Sequence, residues 1–229
     1  PAKIDRIAHG IPDIRGTDLD SKRADPRLRD KRLMLTFGLL SPGKGIEHAI
    51  RALPSVVEQY PDLVYLIVGA THPNLLKLQG ESYRTSLEEL AKELNLERHV
   101  LFENRFVELD ELKEFLAAAD IYVTPYINEA QAVSGTLAYA FGCGKPVIST
   151  PYWHARELLD EGDGMLVPFG DSAAIGKALR DLLSNNRLRE DMSRRAYRLG
   201  REMLWPKAAD KYMKAFIQAR REKKAARPT

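Results

Sequence analysis

The stretch Phe37-Gly-Leu-Leu-Ser-Pro-Gly-Lys-Gly45 ends one apolar run and opens a helical pattern. Gly38 stands where a ligand can approach the backbone closely, and Lys44 where the helix begins. A lysine beside the free N–H groups of a helix start suits a diphosphate. A solvent-exposed lysine in an ordinary turn is the equal alternative. A second stretch begins after the β-branched run at 121–123 and Pro125. Its loop carries Glu129 and Gln131 and ends in Ser134-Gly-Thr136, just before an apolar helical pattern. Ser134, Gly135 and Thr136 offer backbone and hydroxyl donors, a cradle for phosphate, and Ser134 also reads as the helix N-cap. Tyr139 lies inside that helix, either as a core aromatic or with its hydroxyl at the ligand edge. His72 reads as a surface loop residue, His154 as a later loop position, and Glu157 as a first-turn carboxylate favoured by the helix dipole. There is no Gly-x-Gly-x-x-Gly, Walker loop, Gly-x-Ser-x-Gly, His-Glu-x-x-His or metal-ligand cluster. A nicotinamide cofactor, ATP hydrolysis and a metal site are therefore unsupported.

These residues need a scaffold, and the hydrophobic pattern supplies one. Apolar runs predict strands over 33–40, 63–68, 100–102, 121–123, 146–149 and 165–167. Helical periodicity covers 46–60, with a kink or break at Pro54, then 83–94, 109–118, 135–141, 155–159, 173–184, 188–203 and 207–220. Strands that alternate with helices, none joined by a two-residue hairpin, predict a parallel sheet covered on both faces. The expected fold class is α/β, a three-layer Rossmann-like domain with a six-stranded parallel sheet. Loops leaving the carboxyl ends of such strands are where these sheets bind ligands. The segment 1–31 reads as a linker or surface arm, with His9-Gly-Ile-Pro-Asp13 forming turns and 15–29 dense in charge with little to bury. The Rossmann-like domain is expected over 32–203, and a C-terminal helix with a basic tail over 204–229.

Composition narrows the function classes. A chain that is 44% hydrophobic and 29% charged has a core to bury, so disorder over most of it is not expected. The net charge of +3 is too small to argue for nucleic acid. The one cysteine, Cys143, rules out an internal disulfide and a cysteine-based zinc site, and fits a reducing, cytoplasmic setting. No apolar run reaches the roughly 18–20 residues of a membrane span, and no secretory signal is visible. The basic tail over 220–227 reads as a solvated helix end, with weak contact to anionic lipid headgroups as the alternative. The chain opens Pro1-Ala2 without an initiator Met, as a piece cut from a longer protein would.

Taken together, several motifs resemble the carboxyl-terminal domain of GT-B glycosyltransferases, most closely glycosyltransferase family 4, also called group 1. They are the first turn with Gly38 and Lys44, Ala119-Asp-Ile-Tyr-Val-Thr-Pro125, Gly142-Cys-Gly-Lys-Pro-Val-Ile-Ser-Thr150, and Glu157 ahead of Gly164-Met-Leu-Val-Pro-Phe-Gly-Asp171. His9-Gly-Ile-Pro12 is similar to the passage between that family's two domains. The resemblance implies half of a GT-B fold that holds a nucleotide-sugar donor. It implies retaining, metal-independent transfer of a hexosyl group once an amino-terminal domain supplies the acceptor site. No cofactor is implied beyond that donor, and the acceptor stays open among a sugar, a lipid-linked sugar and a small alcohol. By resemblance, Gly38 and Lys44 approach the diphosphate, Arg105, Phe106 and Val107 lie near the base, and the Ser134–Thr136 amides meet phosphate or sugar.

The departures are specific. The family carries two glutamates eight positions apart, and here they fall on Gln131 and Tyr139. A tyrosine hydroxyl in place of the second carboxylate holds a ribose more weakly. Gln131 brings no charge to the sugar, and Glu129 stands two residues earlier as a substitute. The basic residue that often follows the first glycine is Leu39. A charge-assisted hydrogen bond is worth about 1.5–3 kcal/mol, so losing one or two costs roughly an order of magnitude or more in affinity. A phosphorylase of the same architecture and a non-catalytic binding lobe therefore stay open beside the transferase. The chain alone is expected to transfer no sugar.

Overall fold

The computed structural model describes residues 7–14, 25–159 and 162–225. Six strands form one parallel sheet: β1 (Arg32–Phe37), β2 (Leu63–Val68), β3 (Val100–Glu103), β4 (Ile121–Thr124), β5 (Val147–Ser149) and β6 (Met165–Leu166). Their order across the sheet is β3-β2-β1-β4-β5-β6. The chain winds outward from β1 to β3, returns to β4 beside β1, and winds the other way. Connections leaving β1 and β4 therefore diverge, and a crevice opens at the carboxyl ends of those two strands.

The double cover follows from the strand sequences. Leu33, Leu35 and Phe37 of β1 face one apolar cluster and Met34 the other. Side chains alternate across a strand, so a run apolar at nearly every position must be buried on both faces. One face is covered by α1 (Ile46–Ala52), α2 (Pro54–Val57), α4 (Ser82–Glu93) and α8 (Ser172–Ser184). The other is covered by α5 (Leu109–Ala118), α6 (Gly135–Gly142) and α7 (Trp153–Leu158). The helix α9 (Asn186–Gly200) reaches both, through Met192 on one side and Ala196 on the other.

The structure departs from the sequence expectation at definable places. β1 stops at Phe37, three residues early, because Gly38 turns the chain at φ 117°. Leu40 rejoins the sheet edge only through a single parallel bridge to Thr71. The helix expected over 46–60 divides around Leu53, since Pro54 opens α2 and has no N–H to continue α1. An unforeseen helix, α3 (Pro73–Gln79), buries none of its residues and so leaves no apolar period to read. His72 caps it, Nδ1 accepting from the Asn74 N–H at 3.2 Å. α9 ends at Gly200, and a 3-10 turn over Arg201–Met203 leads into α10 (Trp205–Ala225). The amino-terminal segment buries more than expected: Ile11, Ile14 and Leu28 join the core. Most of the charge-dense stretch, residues 15–24, lies outside the described residues. So do the side chains of the basic tail from residue 223 onward.

Two contacts fasten the edges of the crevice. The turn after β1 is tied to the loop after β4, where the Ile127 N–H donates to the Gly43 carbonyl at 3.2 Å. Beside that bond Gly45 holds φ 60°, and a Cβ there would stand 2.2 Å from the Pro125 carbonyl oxygen. At the other edge the amino-terminal segment is clamped to the start of α10. The Ile11 N–H donates to Met203 O at 2.8 Å, and the Trp205 N–H donates to Ile11 O at 3.0 Å. Gly10 lies so close to the Trp205 indole that a Cβ would fall 2.1 Å from a ring carbon.

Candidate functional site

Pro125 follows β4, and Tyr126 is the first side chain to enter the crevice. Its ring is buried and stacks on Tyr152 with centroids 4.9 Å apart. Lys44 Nζ donates to the Tyr126 hydroxyl at 2.6 Å and sits 4.1 Å from the centre of the same ring. That hydroxyl is also 2.9 Å from Thr136 Oγ1 and 3.5 Å from Ser134 Oγ. Ser134 Oγ lies 3.1 Å from Thr136 Oγ1 and accepts from the Leu137 N–H at 3.2 Å, which makes Ser134 the N-cap of α6. Gly38 completes the ring of contacts, since a Cβ on it would stand 3.0 Å from the Thr136 methyl. Gly38, Lys44, Ser134, Gly135 and Thr136, separated by up to 98 positions in sequence (38 to 136), thus meet at the start of one helix.

The electrostatics follow from this packing. Burial pushes the Tyr126 phenol up, but the Lys44 ammonium and the surrounding hydroxyls outweigh it and hold the phenol below the usual tyrosine range. A cation, a polarised phenol and the open end of a helix dipole form a concentrated positive field. The fully buried Tyr122 hydroxyl lies beside Thr136 but makes no well-formed hydrogen bond among the described residues, and burial drives its phenol far up. A buried hydroxyl without a partner costs about 1–3 kcal/mol. Tyr122→Phe is therefore expected to leave stability unchanged or to raise it by about 1 kcal/mol in urea unfolding. A loss of that size instead would show that the hydroxyl has a partner in solution.

The remaining sequence candidates sit elsewhere. Glu129 turns to Arg156, with which it pairs at 2.8 Å. Gln131 Nε2 donates to the Val133 carbonyl at 2.6 Å and braces its own loop. Arg105 follows β3 at the sheet's edge and pairs with Glu111 at 2.7 Å. Phe106 is exposed, and Val107 packs on the core. Tyr139 faces the amino-terminal segment, its ring edge-on to His9 at 6.0 Å. Cys143 is no nucleophile at neutral pH, because burial pushes its thiol up to about 12.

Two aromatic residues around the crevice were not singled out by the sequence. Tyr126 and Tyr152 line it, and the only signal for Tyr126 was its place directly after the strand-ending Pro125. His154, expected in a loop, is instead the second residue of α7 and buried, because the helix begins two residues earlier than its apolar period shows, and its Nδ1 accepts the Ser134 N–H at 2.9 Å. The first N–H groups of α7 also donate to this loop, Trp153 to Glu129 O at 3.0 Å and His154 to Gln131 O at 3.2 Å. α7 thereby holds the loop against α6. Next to it is a cavity of about 180 Å³ lined by His9, Val133, His154, Glu157, Met203 and Tyr212 among others.

The comparisons with known proteins bear on this geometry. The family model for Glycosyl transferases group 1 matches residues 19–199. The chain belongs to the group 1 glycosyltransferases. The phosphatidyl-myo-inositol mannosyltransferase of Mycobacterium leprae is 30% identical over 209 residues, which is 88% of this chain and 51% of that protein. The GDP-mannose-dependent alpha-(1-6)-phosphatidylinositol monomannoside mannosyltransferase of Mycolicibacterium smegmatis is 29% identical over 188 residues, 75% of this chain and 46% of its own. The chain thus spans about half the length of the curated relatives it matches. Among solved structures, Anabaena Alr3699/HepE in complex with UDP aligns with a TM-score of 0.78 at 19% identity, covering 88% of this chain and 53% of that one. The C-terminal domain of the group 1 protein LpcC from Francisella tularensis aligns at 0.62 with 22% identity, covering 74% and 83%. These likenesses establish the fold of this group 1 family member as one half of a GT-B architecture.

Proposed function

We propose that this chain is the nucleotide-sugar-binding half of a retaining, metal-independent glycosyltransferase of family 4, which transfers a hexosyl group when joined to an amino-terminal half. The observation that carries the reading is the convergence of Gly38, Lys44 and the α6 start around the Tyr126 hydroxyl, at the point where the strand order diverges. Lys44 and the α6 N–H groups supply the positive field at the leaving diphosphate that a divalent metal supplies in other transferases. The proposed donor class is a nucleoside diphosphate hexose. One relative is named for GDP-mannose, and a structural neighbour was solved with UDP. The acceptor is proposed as a sugar, a lipid-linked sugar or a small alcohol. Two relatives carry phosphatidylinositol in their names, which suits a lipid-linked acceptor and work at the cytoplasmic face of a membrane. Among the described residues no helix is long and apolar enough to cross one.

Calorimetry with UDP, GDP, ADP and their sugars tests the reading. Micromolar binding of a nucleoside diphosphate is the expected result. Binding of a sugar phosphate alone would replace it with a phosphorylase. The engagement of Gln131 within its own loop and of Glu129 with Arg156 favours a non-catalytic lobe as the remaining reading, and binding by none of these compounds would select it. A transfer assay on the 229-residue chain alone is expected to show no turnover, and turnover equal to that of a two-domain form would overturn the division of labour.

A further inference from the structure

His9 lies outside the ring of residues described above, yet its ring is held against the start of α6. Its Nδ1 is 2.7 Å from the Gly10 carbonyl oxygen, so Nδ1 carries the proton and donates it. In the neutral ring Nε2 is therefore the bare nitrogen. Nε2 lies 3.2 Å from where a Cβ on Gly135 would stand. The ring is wedged between Tyr139 at 6.0 Å and Trp205 at 5.8 Å, and its backbone is fixed by the Ile11 clamp to α10. A nitrogen without a proton, next to the N–H groups of a helix start, is poorly placed to receive an anion. The same nitrogen protonated is well placed. The ring also lines a cavity of about 180 Å³ that it shares with Val133, His154 and Glu157, so the space beside it is open to a ligand.

We propose that His9 is a donor-binding residue of this site, which takes up one proton at Nε2 when a nucleotide sugar binds and donates the new N–H to a phosphate oxygen. The proposal rests on the donor-binding reading above. It supplies a second cation beside Lys44 at a crevice where Leu39 brings none. The balance is simple: the proton comes from solvent, and no covalent bond changes. The titratable groups that face the ring or share its cavity are Tyr139 on α6, His154 and Glu157 on α7, and Tyr212 on α10. Glu157 favours the imidazolium and His154, if charged, opposes it. Both are present before and after binding, so the difference on binding comes from the phosphate.

The test is proton linkage. UDP-glucose and GDP-mannose are suitable probes, because their diphosphates are diesters with no proton to exchange between about pH 5 and 8. Each is titrated calorimetrically into the chain at about pH 7, in buffers of differing ionisation enthalpy. The expected result is net proton uptake on binding, with affinity falling as pH rises by up to about tenfold per pH unit. His9→Phe keeps a ring between Tyr139 and Trp205 and removes Nε2, so uptake should vanish and affinity at low pH should drop. Binding without uptake, or uptake unchanged in His9→Phe, overturns the His9 role and leaves the donor site standing. No binding of either probe by the parent chain overturns the donor reading itself. An NMR titration of the His9 ring in the unaltered chain gives an answer independent of the variant. Its titration should move to higher pH with the probe bound, and an unmoved curve overturns the proposal.

Discussion

Lys44→Ala is expected to weaken binding of a nucleoside diphosphate by about 10- to 100-fold. The size follows from one charge-assisted hydrogen bond, about 1.5–3 kcal/mol, at about 1.4 kcal/mol per factor of ten. Lys44 is suited to this because its partner at 2.6 Å is a phenol. A lysine tied to a carboxylate would have to give up an ion pair before meeting a phosphate. Here the ammonium waits over an aromatic face, 4.1 Å from the ring centre, already partly stripped of water. Lys44→Met separates charge from packing, since it keeps an apolar stem over Tyr126, and its loss of affinity should match that of the alanine variant. Tyr139→Phe should cost less, because the ring that touches His9 is retained and only a hydroxyl is removed. Calorimetric titration with UDP and GDP measures all three. If Tyr139→Phe abolished binding while Lys44→Ala left it intact, the roles assigned to the two residues would be reversed.

Gly45→Ala is expected to lower the unfolding free energy by about 2–4 kcal/mol, from a strained left-handed residue plus overpacking against fixed backbone. Gly45 holds φ 60°, and the added methyl would meet the Pro125 carbonyl oxygen at 2.2 Å. That oxygen belongs to backbone, so no rotamer change relieves the clash. Either the Lys44 turn or the β4 exit must move, and the bond between Ile127 N and Gly43 O goes with it. The same variant should therefore also weaken nucleotide binding, although Gly45 has no side chain to offer. A urea-unfolding midpoint unchanged to within about 0.5 kcal/mol would mean that the two loops are not pressed together in solution.

The pattern of agreement between sequence and structure has a physical cause. The strand at 63–68 and the helix at 109–118 were legible to the residue. The first is a buried run with no polar interruption. The second carries apolar residues at helical spacing and an acidic first turn. α3 was illegible because it faces solvent all round. The N-cap role of Ser134 at the α6 start was legible because a serine directly ahead of an apolar helical run is a capping signal. Tyr126, His9 and His154 were not, because what matters at each is a partner far along the chain. Tyr126 needs Lys44, His9 needs Gly135, and His154 needs the Ser134 N–H. Single-chain spacing carries no record of such pairs.

The bridge between Ile11 and Leu204 also has a mechanical side. The backbone arriving at His9 and the backbone leaving at Trp205 pass through one spot on the surface, fastened there by two hydrogen bonds. A second body attached through both crossings would have a single pivot, and swinging about it would move distant atoms far and nearby atoms little. α6 runs beside that pivot, with His9 against Gly135 at its start and Ile11 against Gly142 at its end. A helix held along the axis in this way would keep its place through any opening and closing, so that whatever binds at its start would be displaced least.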